Sequence, residues 1–259
     1  MEGLGWEWFV RKVVQKSGID LRAYKRPQME RRINSFMRTV GADSYADLIK
    51  LCEDNPEVYR RFVEHLTINV SEFFRNANHW DVLRYQIIPE LLKEKSPLKI
   101  WSAGCSTGEE PYSLAIMMQE YFPGQANRIW ATDLDQVVLN KAKQGVYSEK
   151  AVQGVPPHLI KKYFVQDSGS YRIADSIKAM VRFEKHDLLA DKFPGDFDLI
   201  LCRNVVIYFT EEAKDKLYRK FAQALRRNGV LFIGSTEQIF QARELDLKSI
   251  ATFFYQKGG

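Results

Sequence analysis

From Leu98 onward the sequence repeats one theme: a short apolar run, a turn bearing glycine or an acid, then a stretch with helical spacing. Leu98 to Ala103 reads as a strand. Pro111 to Tyr121 reads as a helix with Leu114, Met117, Met118 and Tyr121 facing inward. Arg128 to Thr132 is a second strand ending at Asp133, and a helix follows from Asp135 to Gln144, with Asp135 as its N-cap. Phe197 to Cys202 is a third clear strand. Thr210 caps a helix running to about Arg227, which Asn228-Gly229 ends; Val230 to Ile233 and Ser249 to Gln256 are the last two strands. Alternation of this kind predicts a mostly parallel sheet with helices on both faces.

One stretch breaks the pattern. Val146 to Lys185 holds Pro156-Pro157, a short helical piece, and then Tyr171-Arg172-Ile173 and Val181-Arg182-Phe183, which predict a small β-hairpin subdomain inserted at about 146–185. Before residue 79 the sequence carries helical spacing and no strand pattern. Trp6, Phe9, Val10, Val13 and Val14 share one face. Pro27 opens a second helix with Met29, Ile33, Phe36 and Met37 inward and Gly41 as its stop. Ser44 and Asp47 form a capping box, and Asn55-Pro56 start a fourth helix through Tyr59, Phe62, Val63 and Leu66. The expected division is therefore a small all-α domain at 1–78, a helical connector at 79–96, and an α/β domain at 97–259.

Among 259 residues no apolar run is long enough to cross a bilayer as a helix, so direct membrane insertion is not expected. The N-terminus lacks a basic-then-apolar leader, so a secretory signal is not expected. Three scattered cysteines fit neither a disulfide framework nor a zinc site and suggest a reducing, cytoplasmic setting. The four histidines have no metal-ligand spacing, and no metal is expected. A net charge of +5 permits an acidic partner without demanding one.

In open α/β sheets ligands bind beyond the carboxyl ends of the strands, which directs attention to Gly104–Glu110. Gly104 and Gly108 let the backbone approach a ligand. The dinucleotide pattern G-x-G-x-x-G is absent, and Glu109 and Glu110 would repel a pyrophosphate at the helix N-terminus. The pair suits a nucleoside bearing cationic groups, or it merely complements the helix dipole, the role favoured for Glu109. Asp133, closing the second strand, suits both hydroxyls of a ribose.

Three segments carry a family resemblance. Trp101-Ser102-Ala103-Gly104-Cys105-Ser106-Thr107-Gly108-Glu109-Glu110-Pro111-Tyr112-Ser113 closely resembles the signature of the CheR family of chemotaxis protein methyltransferases. Thr67-Ile68-Asn69-Val70-Ser71-Glu72-Phe73-Phe74-Arg75 resembles its N-x-[TS]-x-F-[FY]-R element, and Cys202-Arg203-Asn204-Val205-Val206-Ile207-Tyr208-Phe209 its C-R-N-x-x-I-Y-F element. The likeness covers nearly the whole chain in order. It implies a Rossmann-like class I methyltransferase domain behind an all-α N-terminal domain. It also implies transfer of methyl from S-adenosylmethionine to glutamates of membrane chemoreceptors, leaving S-adenosylhomocysteine and a glutamate methyl ester. Carried over by position, cofactor contacts fall on Asn69, Ser71, Arg75, Glu110, Asp133, Asp187, Leu188, Arg203 and Asn204. Active-site roles fall on Arg75 and Tyr208. Position 71 is often Thr in the family, and position 187 is Asn in some members; Asp187 keeps an acceptor there and loses the amide donor.

Arg31, Arg32 and Arg38 share a face of the second helix with Gln28 and Ser35. They are a solvated face or, as the resemblance implies, a docking surface for the cytoplasmic, glutamate-rich helices of a chemoreceptor. Two other functions compete. Asn204-Val205-Val206-Ile207-Tyr208 faintly echoes the N-P-P-Y motif of nucleic-acid methyltransferases, but its prolines are missing and no broad basic, aromatic surface accompanies it, so no nucleic acid is expected. A non-catalytic S-adenosylmethionine-binding scaffold is the other; intact Arg75 and Tyr208 argue against it.

Overall fold

Helices α1 (Trp6–Ser17), α2 (Arg26–Val40), α3 (Tyr45–Asp54) and α4 (Pro56–Leu66) form at the positions their caps and apolar spacing predict. The computed structural model describes residues 5–67, 71–125, 128–235 and 237–258. These fall into two units, Met1–Asn69 with Tyr208–Lys214, and Val70–Ile207 with Asp215–Gly259.

The helical unit ends its first two helices at Gly18 and Gly41, both left-handed. The Ser44 hydroxyl accepts the Asp47 N–H and the Asn55 side chain accepts those of Glu57 and Val58, closing the N-termini of α3 and α4. Its core joins Phe9, Val13, Ile33, Phe36, Leu48 and Phe62, with Phe9 stacked 4.5 Å from Tyr45. Residues 208–210 belong to this unit. The Lys25 N–H donates to the Tyr208 carbonyl (2.9 Å), the Thr210 N–H donates to the Ala23 carbonyl (2.9 Å), and Tyr24 pairs with Phe209 as an antiparallel bridge.

The second unit begins with a long helical run: α5 (Ala77–Val82), a π-helical turn at Leu83–Ile87, and α6 (Ile88–Glu94). Strand β1 (Lys99–Ala103) then leads to α7 (Glu109–Tyr121), β2 (Arg128–Asp133) and α8 (Gln136–Gln144). The insertion holds β3 (Val146–Ser148), α9 (Glu149–Val152), α10 (Pro157–Tyr163), β4 (Phe164–Asp167), β5 (Ser170–Ile173) and α11 (Asp175–Lys178). It is followed by β6 (Val181–Lys185), β7 (Phe197–Cys202), α12 (Glu211–Ala224), β8 (Leu225–Ile233), β9 (Leu247–Ala251) and β10 (Phe254–Lys257).

The main sheet runs β6-β2-β1-β7-β8-β10-β9. The first five of these pair in parallel, and β10 pairs antiparallel with β8 and β9. The chain winds outward one way through β1, β2 and β6 and the other way through β7 and β8, so the switch point lies between β1 and β7. Trp101 anchors one layer, with Trp130, Phe193, Phe197, Phe221 and His186 against its ring. Helix α7 anchors another. It is buried all round from Pro111 to Met118, beyond the single inward stripe expected, because it packs against β2, β6 and α11.

Three local expectations change. Val181–Lys185 is not half of a hairpin: it lies parallel to β2 in the main sheet. The small sheet, ordered β3-β5-β4, is antiparallel, and its hairpin is β4–β5 around Ser168-Gly169, both left-handed. Asn228-Gly229 does not end a helix. The helix stops at Ala224, and the pair lies inside β8 where its register against β7 shifts, with Asn228 at φ +60°. The last apolar stretch is two strands, turned at Phe253 (φ +68°).

Candidate active site

The carboxyl ends of β1, β2, β7 and β8 meet at the switch point. The N–H groups of Gly104 and Cys105 both donate to the Thr132 carbonyl (2.8 and 2.9 Å), which pins the loop after β1 to the end of β2. Gly104 sits at φ +79°, and a Cβ there would lie 2.4 Å from Val205 Cγ2, so only glycine lets the loops after β1 and β7 approach so closely. A Cβ on Gly234, after β8, would lie 2.7 Å from the Asn204 nitrogen.

Asp133 closes β2 as expected. Its Oδ2 accepts the Ser106 N–H (2.8 Å) and its Oδ1 the Asp135 N–H (3.0 Å). Burial pushes the carboxyl above its ordinary value, and those two N–H groups pull it back. Asp135 caps α8 through the Val137 N–H (2.8 Å). The Ser106 hydroxyl is buried, with no hydrogen-bond partner among the described residues.

The two acids of the loop part company. Glu109 is buried (5% exposed) and accepts from the Thr107 hydroxyl (2.7 and 2.8 Å) and from Ser71. It does more than complement a helix dipole, since it ties the loop to the segment before α5. Glu110 turns the other way. Its Oε1 accepts the Ser102 hydroxyl (2.8 Å) and its Oε2 lies 3.4 Å from Arg203 Nη1. Burial raises the Glu110 carboxyl, and the charges of Arg203 and Arg75 oppose that rise.

Arg203 is buried, its side chain 2% exposed. Nη2 donates to the Arg75 carbonyl (2.9 Å) and to Asn76 Oδ1 (3.1 Å), while the guanidinium lies 4.6 Å from the centre of the Phe232 ring. The Arg75 carbonyl also accepts the Trp80 indole N–H (3.1 Å). Arg75, Glu110, Asp133, Arg203 and Asn204 thus lie around the same strand ends, with Ser71 joined to them through Glu109. Asp187 and Leu188 follow β6, where the His186 N–H donates to the Asp133 carbonyl (2.9 Å). Asp187 Oδ1 accepts the N–H groups of Leu189 (2.8 Å) and Ala190 (3.3 Å), and the Leu188 carbonyl accepts from Lys220 Nζ (2.8 Å). Asn69 lies outside the described residues.

In the helical unit, Tyr208 is half-buried and close enough to Arg32 to interact with its charge. Arg31 and Arg38 are exposed on α2. Arg32 is half-buried: its Nε donates to the His65 carbonyl (3.2 Å), its Nη2 bonds the same carbonyl, and His65 Nε2 bonds the Arg32 carbonyl (3.0 Å). Of the three arginines, Arg32 is therefore built into the helix pair. Sequence alone assigns no role to Ser102 and Ser113, which it holds only as letters of the Trp101–Ser113 signature, and does not single out Asn76 or Trp80; all four support the site through hydrogen bonds that form only in the folded chain.

A glycine loop that permits close backbone approach, an acid at the end of β2, and a second acid at the N-terminus of α7 fit a nucleoside with a cationic tail and disfavour a pyrophosphate. The doubly wound sheet makes this a Rossmann-like domain, and a family match puts it in the methyltransferase class. Residues 69–253 match the CheR methyltransferase SAM binding domain, and residues 5–67 match the CheR methyltransferase all-alpha domain. The chain belongs to the CheR methyltransferase family. The chemotaxis protein methyltransferase of Listeria innocua is 43% identical over 251 residues, covering 96% of each chain. That of Escherichia coli is 32% identical, covering 87% of this chain and 81% of its own. Among solved structures, a TehB-like SAM-dependent methyltransferase from Corynebacterium glutamicum superposes with a TM-score of 0.39 at 18% identity, over 70% of this chain and 92% of that one.

Proposed function

We propose that this protein methylates glutamate side chains on the cytoplasmic helices of membrane chemoreceptors, using S-adenosylmethionine and forming glutamate methyl esters. The observation that carries the reading is the meeting of Glu110, Asp133 and the Arg75 turn at one set of strand ends, in a chain of this family. Asp133 would hold the ribose. Glu110, with Asn69, Ser71, Asp187, Leu188 and Asn204, would hold the rest of the cofactor; Arg203, buried and bonded to Glu110, the Arg75 carbonyl and Asn76, would act through them and not as the direct contact that the resemblance implies. When bound, the cofactor supplies a methyl group made electrophilic by its sulfonium.

A glutamate is already ionised near neutral pH, so the chain needs no general base. Charge is consumed as the ester forms. A tight Arg75–carboxylate bond would therefore favour the ground state over the transition state. Alignment of the attacking oxygen can return up to roughly 7–11 kcal/mol in favourable cases. Arg75 and Tyr208 accordingly act by orientation. Arg31 and Arg38, exposed on α2, dock the acidic substrate helix, with Arg32 contributing its charge from a fixed position.

The test is methyl transfer to receptor membranes from the same cell, with mass spectrometry of the modified residues. Esters on receptor glutamates support the proposal. Transfer to nucleic acid, or tight cofactor binding with no transfer, sinks it. Charge reversal at Arg31 and Arg38 should raise the receptor KM and flatten its salt dependence.

A further inference from the structure

Arg75 is carried on a strained turn. Phe74 has φ +51° and Asn76 has φ +60°, so non-glycine residues adopt the left-handed conformation on both sides of it. A bulky side chain in that region is an outlier, and it persists only where the surroundings over-determine it.

Here two residues remote in sequence do so. The Phe74 N–H donates to Ser113 Oγ (2.9 Å), and the Ser113 hydroxyl donates in turn to the Glu109 carbonyl (2.7 Å). Its single proton is spent on Glu109, so the oxygen faces Phe74 as an acceptor. Ser113 is fully buried, one turn into α7. On the other side, Arg203 Nη2 bonds the Arg75 carbonyl and Asn76 Oδ1, while Nη1 faces Glu110. One side chain thus grips the two residues after Phe74, and the other grips Phe74 itself.

We infer that Ser113 and Arg203 are positioning residues that clamp the Phe74–Asn76 turn in its strained form and so preset Arg75 for the methyl acceptor. The inference rests on the reading of Arg75 given above. Arg203 acts on the reaction through the turn and Glu110, and Ser113 acts through the turn alone.

The experiment is a double-mutant cycle between S113A and R75A in the full-length protein. It measures turnover on receptor membranes, receptor KM, calorimetric affinity for S-adenosylhomocysteine, and amide exchange of peptides spanning 71–80. S113A should lower kcat about tenfold, leave KM and S-adenosylhomocysteine affinity within about twofold, and speed exchange at Phe74. S113T, which keeps the hydroxyl, should recover most of kcat. Adding S113A to R75A should cost less than about twofold more, because the residue through which Ser113 acts is already gone.

Wild-type kcat and exchange in S113A overturn the inference. So does a full tenfold loss in the R75A background. If R75A itself keeps wild-type turnover, the role given to Arg75 falls, while exchange at 71–80 still reads the clamp. If S113A does not fold, R203K decides. Lysine keeps a charge for Glu110 but lacks the planar fork, so kcat should fall with S-adenosylhomocysteine affinity retained. Lost affinity with kcat held at saturation would make Arg203 a cofactor clamp and end the proposal.

Discussion

The loop after β1 and the turn at Phe74–Asn76 solve one problem by different means. Both force the backbone through left-handed residues beside the strand ends. The loop does so at Gly104 (φ +79°), Ser106 (φ +48°) and Gly108 (φ +96°), mostly with the residue that pays least for it. The turn uses Phe and Asn, and its geometry is held by bonds from Ser113, 39 residues away, and Arg203, 128 residues away. The loop is shaped locally and the turn by the finished fold. Breaking a tertiary clamp should therefore loosen the turn, whereas the loop should fail only when its glycines are filled.

The largest effect should come from Arg203→Ala. It removes the clamp and leaves the largely buried Glu110 side chain without its Arg203 ion pair, so unfolding stability should drop by about 3–5 kcal/mol. Adding Glu110→Gln should return a substantial part of that loss. Urea denaturation of both variants measures it. A change under about 1 kcal/mol would mean that Arg203 is not holding the two segments together.

Gly104→Ala should rank next. The new Cβ meets Val205 at 2.4 Å and the φ of +79° strains any other residue, a combined cost of about 2–4 kcal/mol. Val205→Ala in the same chain should return the steric share and leave roughly 1 kcal/mol of backbone strain. Full rescue would show that the loop needs space and not glycine. S-adenosylhomocysteine affinity should follow stability through this pair.

The same contrast explains what could be read from sequence. Strand–helix alternation and the caps of α3, α4 and α8 are local patterns, and they placed the main sheet and the helical unit. The glycine loop and Asp133 were legible for the same reason. Asn228-Gly229 misled because a helix stop and a strand irregularity ask for the same left-handed backbone. Here a Cβ on Gly229 would sit 2.7 Å from the Phe197 carbonyl, which is a demand of the sheet. The β9–β10 turn was invisible because it places Phe253 at φ +68° with no turn residue to announce it. Ser113 closes the Trp101–Ser113 signature, but its role could not be read there, since a serine in an apolar helix declares its partner only once the chain has folded.

Protonation offers a finer comparison, on the side of the loop. Burial raises the Glu109 carboxyl above its ordinary 4.5, opposed by the hydroxyls of Thr107 and Ser71. The folded chain therefore binds that proton more tightly than the unfolded chain. The associated stability is fully present below about pH 4.5 and is lost as pH rises through the folded value. Glu109→Gln removes this titration. Stability of the wild type relative to E109Q should fall as pH is raised from about 4 to about 7. A gap that stays constant over that range would show that Glu109 titrates as if exposed.

The smallest effect on stability, and the sharpest discrimination, should come from Asn76→Gly. Glycine accepts φ +60° without strain, which favours the variant, but it removes the Oδ1 that Arg203 grips at 3.1 Å. The two changes oppose each other, so stability should move by less than about 1 kcal/mol in either direction. Turnover should nevertheless fall roughly threefold to tenfold, because a more permissive backbone next to Arg75 holds its side chain less firmly. In the loop, replacing glycine costs stability first and function as a consequence. In the turn, introducing glycine should cost function with stability nearly untouched. An N76G enzyme with undiminished kcat would place the turn in the same class as the loop, as a shape that any compatible backbone can supply.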